Sequence, residues 1–336
     1  ASNSQLRMTG DAPLVPNADT NTKAFYVFEE LAFSKDTAVN LGARIEDVKV
    51  QSVVGNGNTN EYSGEKKFKP FSTSLGYRQG LNSFWTATSN LSYTERAPTY
   101  YELFANGHHH ATGSFEVGDP NQKMEKGTTL DLALTYKTAE SKTRLGAFVT
   151  EFSNFIGLVG KGEVNDSGGD CSSSPASCIS KYQFEGIKAR LYGLEADGRF
   201  LLLKEAFSKA GQIDLSWKAD YVRGENRTTG GALPRIAPLR VDTSLIYTEG
   251  RYSSQLDVRY AARQTRYDDS LGATPSYTTI GMGASYKTAL QGFKSAYWFV
   301  RVDNLTNEVA RNASSVMRDV AMVGSRSLRA GLRASF

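Results

Sequence analysis

The last twelve residues of the chain alternate between apolar and polar side chains, and this pattern is the strongest constraint on its fold. In an extended strand, side chains point to opposite faces in turn. One face of the segment 325–336 carries Leu328, Ala330, Leu332, Ala334 and Phe336, and the other carries Arg329, Gly331, Arg333 and Ser335. Arginines are costly in a packed soluble core, but a strand with lipid on one side and water on the other accommodates them. The segment therefore predicts a strand of a membrane β-barrel.

Composition narrows the class of protein further. No apolar run approaches the roughly 18–20 residues of a spanning helix, so a helical membrane protein is excluded. The net charge of +4 is small for 336 residues, and without a basic run it argues against nucleic-acid binding. The chain starts without a Met or a signal sequence, so we expect either a removed signal peptide or an internal start.

The same alternation recurs along the chain and predicts about thirteen antiparallel strands of an all-β transmembrane barrel. Their predicted ranges are 23–34, 37–50, 67–79, 82–94, 128–137, 143–155, 181–200, 212–222, 239–248, 251–265, 276–288, 295–304 and 325–336. The polar faces carry charges of both signs, which a water-filled or plugged lumen tolerates and a sandwich interior does not.

The predicted connections alternate between short and long. The long ones are 51–66, 95–127, 158–180, 223–238, 266–275 and 305–324. Outer-membrane barrels have short periplasmic turns and long extracellular loops, so we assign the long connections to the outside and residue 336 to the periplasm. Because an intact barrel of this type has an even number of strands, an odd count predicts that the chain lacks the beginning of its barrel.

Two cysteines lie close together in the extracellular loop 158–180. Cys171 and Cys178 enclose a serine-rich segment, and an oxidising compartment favours a disulfide between them over two free thiols. We predict that disulfide.

Several segments resemble TonB-dependent outer-membrane receptors. The segments that carry the resemblance are TERAPTYYELFANG at 94–107, FEVGDPN at 115–121, EKG at 125–127, YGLE at 192–195, VDNLTN at 302–307 and the terminal GLRASF. As a set, in this order, they are most similar to the zinc-receptor branch of that family. Arg96-Ala97-Pro98 before the histidines and Asp119-Pro120-Asn121 after them also resemble the box of haem receptors.

The resemblance implies a bacterial outer-membrane barrel of 22 strands around an N-terminal plug, which imports a scarce metal or metal complex with the inner-membrane TonB complex. We find no plug and expect residues 1–336 to be the C-terminal portion of such a barrel. The expected partners are outer-membrane lipid, TonB through the missing plug, and the barrel assembly machinery, for which Phe336 would be the signal. Zinc is the expected cargo, with haem or a ferric siderophore as alternatives; no permanently bound cofactor is expected.

The candidate site lies in the predicted loop 95–127, which holds all three histidines of the chain. Imidazole is a common ligand for zinc and for haem iron. In an extended segment His108 and His110 point to one side and His109 to the other. Candidate ligands are His108, His109, His110, Glu116 and Asp119, and the alternative is a solvated loop with incidental histidines.

Two other classes of function fit less well. A barrel enzyme would need a nucleophile beside a histidine at a strand end, and every histidine lies in one tripeptide, so we predict no enzymatic activity. A structural or adhesin-like β protein would show repeats, and the chain has no repeat period.

Overall fold

The structure is a computed structural model, and it describes residues 1–7, 14–53, 64–171, 178–267, 272–289 and 292–335. Within these ranges lie seventeen strands and one short helix. They are β1 (Ser2–Leu6), β2 (Asn17–Ala32), β3 (Thr37–Val53), β4 (Gly64–Phe68), β5 (Phe71–Gly80), β6 (Trp85–Arg96), α1 (Tyr100–Phe104), β7 (Asn106–His109), β8 (Ser114–Val117), β9 (Glu125–Lys137), β10 (Ser141–Val164), β11 (Ile179–Lys204), β12 (Gly211–Asn226), β13 (Arg240–Glu249), β14 (Tyr252–Ala261), β15 (Tyr277–Thr288), β16 (Ser295–Asp303) and β17 (Ser327–Ser335).

Thirteen of these strands correspond one to one with the predicted strands, and β1, β4, β7 and β8 are additional. The predicted strand 67–79 was wrong at its start, since residues 67 and 68 end β4 and β5 begins at Phe71. Pro70 lies between them, and its missing N–H cannot continue a ladder. The strands β10 and β11 are longer than predicted, at 24 and 26 residues, so this pair projects beyond its neighbours.

The long strands form an antiparallel meander. Each pairs with the next, from β2 with β3 and β3 with β5, through β6 with β9, to β16 with β17. The short strand β1 pairs with the first part of β2, on the side away from β3, so β1 extends the sheet beyond β2 there. In the part of the chain that the structure describes, no register joins β17 to β1 or β2.

Apolar side chains cover one face of the sheet and remain exposed. Leu256 lies between its cross-strand partners Leu245 and Met282, and the three are 40%, 41% and 49% exposed. On the opposite face, Asp257 accepts a hydrogen bond from Ser244 and pairs with Arg301. A band of exposed apolar residues backed by paired charges is the arrangement that a lipid-facing wall requires. Among the described residues, no helix has the length and apolar character needed to cross a bilayer.

The connections follow the predicted alternation, with short turns at one end of the sheet and long loops at the other. Cys171 and Cys178 form the predicted disulfide in the β10–β11 connection, with their Cα atoms 5.7 Å apart. The serine-rich residues 172–177 between them and the predicted assembly signal Phe336 lie outside the described residues. The role of Phe336 stays a prediction.

Candidate functional site

The loop between β6 and β9 begins with a capped helix. Thr99 is the N-cap of α1: its hydroxyl accepts the Glu102 N–H at 3.2 Å, and its own N–H donates to the Glu102 carboxylate at 2.7 Å. This reciprocal pair is a capping box, which satisfies amide groups that the helix cannot. Arg96 extends it, because its guanidinium bridges Glu102 at 2.8 Å and Glu125 at 3.1 Å. The start of the loop is thereby joined to its return into β9.

Apolar packing holds α1 against the sheet. Leu103 and Phe104 are fully buried and pack against Val48 and Val50 of β3. Gly118, on the returning part of the loop, packs directly against α1. A Cβ added at this glycine would stand 2.7 Å from the backbone carbonyl carbon of Leu103. This close approach requires glycine and brings the segment after β8 directly onto the helix.

The strands β7 and β8 form a hairpin that carries the histidines, and we call residues 106–117 the histidine hairpin. It is antiparallel, with His108 opposite Phe115 and His109 opposite Ser114. β8 also pairs in parallel with Ser180–Gln183 of β11. Because β12 begins its pairing with β11 only at Ala189, β8 occupies the edge that β12 leaves open on the projecting end of β11.

A histidine–carboxylate pair lies at the centre of the hairpin. Nδ1 of His109 lies 2.9 Å from Oε1 of Glu116, which also accepts hydrogen bonds from Ser114 at 3.0 Å and Thr112 at 3.1 Å. The second carboxylate oxygen accepts a hydrogen bond from the Tyr101 hydroxyl. Glu116 is 4% exposed and His109 is 35% exposed, so the carboxylate is buried beneath an accessible imidazole.

The surroundings of Glu116 keep it ionised. Burial alone would raise the pKa of this carboxyl, but hydrogen bonds from Tyr101, His109 and Ser114 and the nearby imidazole hold the pKa below its usual value. Burial and the Glu116 carboxylate together raise the pKa of Tyr101, so this phenol remains a hydrogen-bond donor. Because an ionised Glu116 can only accept, Nδ1 is the nitrogen of His109 that donates to it, and in the neutral imidazole Nε2 then has the available lone pair.

The other two histidines lie together, as the extended segment predicts. The rings of His108 and His110 are 4.2 Å apart, and Nδ1 of His108 lies 4.0 Å from a carboxylate oxygen of Asp166 in the β10–β11 connection. Across the described ranges, no group of three or more His, Cys, Asp or Glu side chains is arranged to hold a metal ion.

The remaining predicted site residues shape the loop. The Asp119 carboxylate accepts the N–H of Asn121 at 2.8 Å, and its backbone N–H donates to the Glu102 carbonyl at 2.9 Å. Pro98 is fully buried. The structure therefore brings Glu116, but not Asp119, to a histidine, and it gives Arg96 an ion-pair role at the base of the loop. Asp119 as a ligand stays a prediction.

Sequence reasoning did not identify Tyr101, Thr112 and Ser114, which complete the shell around Glu116. For Tyr101 a signal was present, because Thr99 and Glu102 have the spacing of a capping box and place Tyr101 on a helix. Thr112 lies in the hairpin turn and Ser114 follows it, and nothing in their local pattern shows that the turn folds back onto Glu116.

Comparisons with known proteins agree with this architecture. The family model described as TonB dependent receptor-like, beta-barrel, matches residues 2–305. A probable hemoglobin and hemoglobin-haptoglobin-binding protein of Haemophilus influenzae is 24% identical over an alignment covering 76% of this chain and 30% of that protein. Among solved structures, the copper transporter OprC superposes with a TM-score of 0.74 at 17% identity, over 94% of this chain and 47% of its own. The siderophore receptor PirA from Acinetobacter baumannii gives 0.63 at 15% identity, over 95% and 55%.

The similarity to the solved structures establishes the fold alone, because the sequence identities are too low to support more. The chain spans about a third of the curated relative and about half of the solved chains. These proteins are described as transporters, receptors and binding proteins, and none is described as an enzyme.

Proposed function

From the premise that this chain belongs to the TonB-dependent receptor β-barrel family of the outer membrane, we propose that it forms the C-terminal wall and outer loops of a receptor that takes up a scarce metal or metal complex. Uptake would depend on the TonB complex acting through a plug within the barrel. Lipid would cover the exposed apolar face, and the assembly machinery would insert the strands. The histidine hairpin would receive the cargo.

One observation carries the proposal: Glu116 orients the His109 imidazole. Metal-ligating histidines commonly donate one ring N–H to a carboxylate, which fixes the tautomer and raises the basicity of the other nitrogen. The pair His109–Glu116 has this arrangement, with Nδ1 engaged. In the described part of the chain Nε2 of His109 has no hydrogen-bond partner, and its side chain is accessible.

Haem is the cargo that this geometry supports best. A single imidazole suffices as an axial ligand of haem iron, whereas a zinc site in a protein needs three or four ligands. The resemblance of Arg96-Ala97-Pro98 and Asp119-Pro120-Asn121 to the haem-receptor box, which encloses His109, supports the same cargo. The name of the Haemophilus influenzae relative, a hemoglobin-binding protein, supports it further.

Zinc is the second candidate, on a different observation. The imidazoles of His108 and His110 lie on one side of the hairpin with Asp166 nearby, and two imidazoles with one carboxylate are a common ligand set for zinc. The carboxylate is 4.0 Å from the His108 nitrogen, so zinc binding would require these groups to move closer.

Titration of the protein in detergent with haem and, separately, with Zn²⁺ tests both candidates. We would compare the wild type with His109→Ala and with a double variant, His108→Ala and His110→Ala. Loss of haem binding in the first variant alone supports haem capture by His109. Loss of Zn²⁺ binding in the double variant alone supports the zinc site. Unchanged binding of both cargoes in both variants would refute the hairpin as the capture site.

A further inference from the structure

Beside the histidine hairpin lies a cavity of mixed, mainly apolar lining that the proposed capture site does not use. It occupies about 550 Å³ between the projecting ends of β10 and β11 and the loop that follows β12. Its walls include Phe155, Leu158, Val159, Phe184, Ile187 and Leu233. A volume of this size suits a small organic ligand, and is far larger than a single metal ion needs. We call it the rim cavity.

The loop between β12 and β13 is packed tightly enough to form a defined wall. Leu233 is buried against Ile187, and an added Cβ on Gly224 would stand 2.8 Å from the side chain of Ile236. Loop and strands are therefore in direct contact around the rim cavity, and its shape is fixed by packing.

Aromatic contacts connect the rim cavity to the capture site. Phe184, which lines the cavity, meets the edge of Tyr101 with ring centroids 5.3 Å apart. Tyr101 in turn holds Glu116 and lies edge-on to His109 at 6.3 Å. A ligand could therefore reach the His109 imidazole with one part while another part occupied the rim cavity.

A cation lies at the boundary of this apolar space. Arg235 lines the cavity, its side chain is exposed, and among the described residues its guanidinium forms no ion pair or hydrogen bond. Its backbone has a φ of 61°, a left-handed conformation that costs free energy in a residue other than glycine. The packed loop thus holds an unpaired guanidinium beside the cavity, and guanidinium groups bind carboxylates in a bidentate manner.

We propose that the rim cavity holds the flat, apolar organic part of the cargo and that Arg235 pairs with a carboxylate on its edge. The ligand class that combines a broad apolar ring, carboxylates and a metal open to an imidazole is a metalloporphyrin. This inference rests on the proposed function, and it assigns recognition of the organic ring to residues distinct from the metal-binding imidazole.

Metal-free protoporphyrin separates the two roles, because it offers carboxylates and an apolar ring but no metal for His109. We would measure its binding to the protein in detergent by fluorescence quenching. The variants are Arg235→Gln; Arg235→Lys, as a conservative replacement; Val159→Phe, which fills the cavity; and His109→Ala. Arg227→Gln is the matched control, since Arg227 is another exposed arginine of the same loop, 3.9 Å from Glu225.

We expect the wild type to bind metal-free protoporphyrin and Arg235→Gln to bind it about tenfold more weakly, the size of one lost charged hydrogen bond. Lysine should restore part of the affinity, and the dimethyl ester of the porphyrin should not distinguish wild type from Arg235→Gln. Val159→Phe should weaken binding of both porphyrins, whereas Arg227→Gln and His109→Ala should leave binding of the metal-free ring unchanged.

Absence of metal-free protoporphyrin binding in the wild type would overturn this inference, and so would equal affinity in Val159→Phe and wild type. Loss of haem binding in His109→Ala would in that case still support the proposed function. Conversely, porphyrin binding that depends on Arg235 and Val159, together with haem binding indifferent to His109, would support the rim cavity and refute the imidazole as the capture ligand. Partition of the porphyrin into detergent micelles alone would give equal quenching in every variant, and that result would also overturn the inference.

Discussion

Nδ1 of His109 lies 2.9 Å from Oε1 of Glu116, a carboxylate that the hairpin buries almost completely. Isolated ionised carboxylates are rarely buried, because desolvation is costly unless hydrogen bonds compensate. Here Tyr101, Thr112 and Ser114 supply those bonds, so the charge is retained below the imidazole. The site thus keeps the buried Glu116 carboxylate ionised next to the accessible imidazole of His109.

Replacing Glu116 with Gln should weaken cargo binding through His109. The amide cannot fix the imidazole tautomer as a carboxylate does, and the loss of such a partner typically costs about 10–100-fold in metal affinity. Haem titration of the variant measures the effect. Glu163→Gln, at an exposed position near the end of β10, is the control and should bind as the wild type does. Equal haem affinity of Glu116→Gln and wild type would show that the carboxylate does not tune the imidazole.

The order of the hairpin should depend on pH in one direction. The pKa of Glu116 is below its ordinary value of 4.5, so its contribution to stability is complete above that value and is lost as the pH falls through the lower pKa of the folded state. Hydrogen exchange in residues 106–117, corrected for intrinsic rates, should rise only in that acidic range. In Glu116→Gln this dependence should disappear, and its persistence would assign the acid sensitivity to another group.

Gly118→Ala should displace the histidine hairpin from α1. The new Cβ would meet the backbone of Leu103 and Phe104 at 2.7–2.8 Å, and a helix backbone cannot move aside as a flexible side chain can. We expect a local cost of about 1–3 kcal/mol and weaker haem binding. Limited proteolysis of the loop and haem titration provide the readouts. Gly324→Ala, where the added Cβ would meet no described atom within 4 Å, should change neither.

The exposed apolar face should respond to charge in the manner of a lipid-facing surface. Leu256→Arg or Val258→Arg should cost about 2–4 kcal/mol near the bilayer centre, whereas Gln255→Arg on the opposite face should cost much less. The urea midpoint of the protein folded in lipid vesicles gives the comparison. Similar midpoint shifts for Leu256→Arg and Gln255→Arg would contradict the assignment of faces.

Local pattern determined the long strands because lipid and water select side chains at every second position. In β14, for example, Leu256 and Val258 alternate with Gln255 and Asp257, and no other regular structure fits that period. The strands that were not predicted obey other constraints. β8 has four residues and is paired through its backbone to a strand more than sixty residues further along the chain, which no local alternation records.

The residue types of the candidate site were predictable from the sequence, but the contacts between its side chains were not. The spacing of three consecutive histidines correctly placed His108 and His110 on one side and His109 on the other. It could not show that Glu116 rather than Asp119 meets an imidazole, because the hairpin register decides which carboxylate lies beside His109. No sequence pattern singled out Arg235, because the cavity that it lines is formed with strands distant in the sequence.

The parallel pairing of β8 with β11 makes the projecting end of the β10–β11 pair a support for the carboxylate that orients the imidazole. The backbone hydrogen bonds of Ser180–Gln183 hold the strand that carries Glu116, so a tilt of the long β10–β11 pair would carry the carboxylate with it. Since α1 is packed separately on β3, such a tilt would shear Glu116 against Tyr101. The affinity for a captured cargo would then vary with the inclination of the β10–β11 pair. A force on this pair would lower the affinity without any change in the ligating residues.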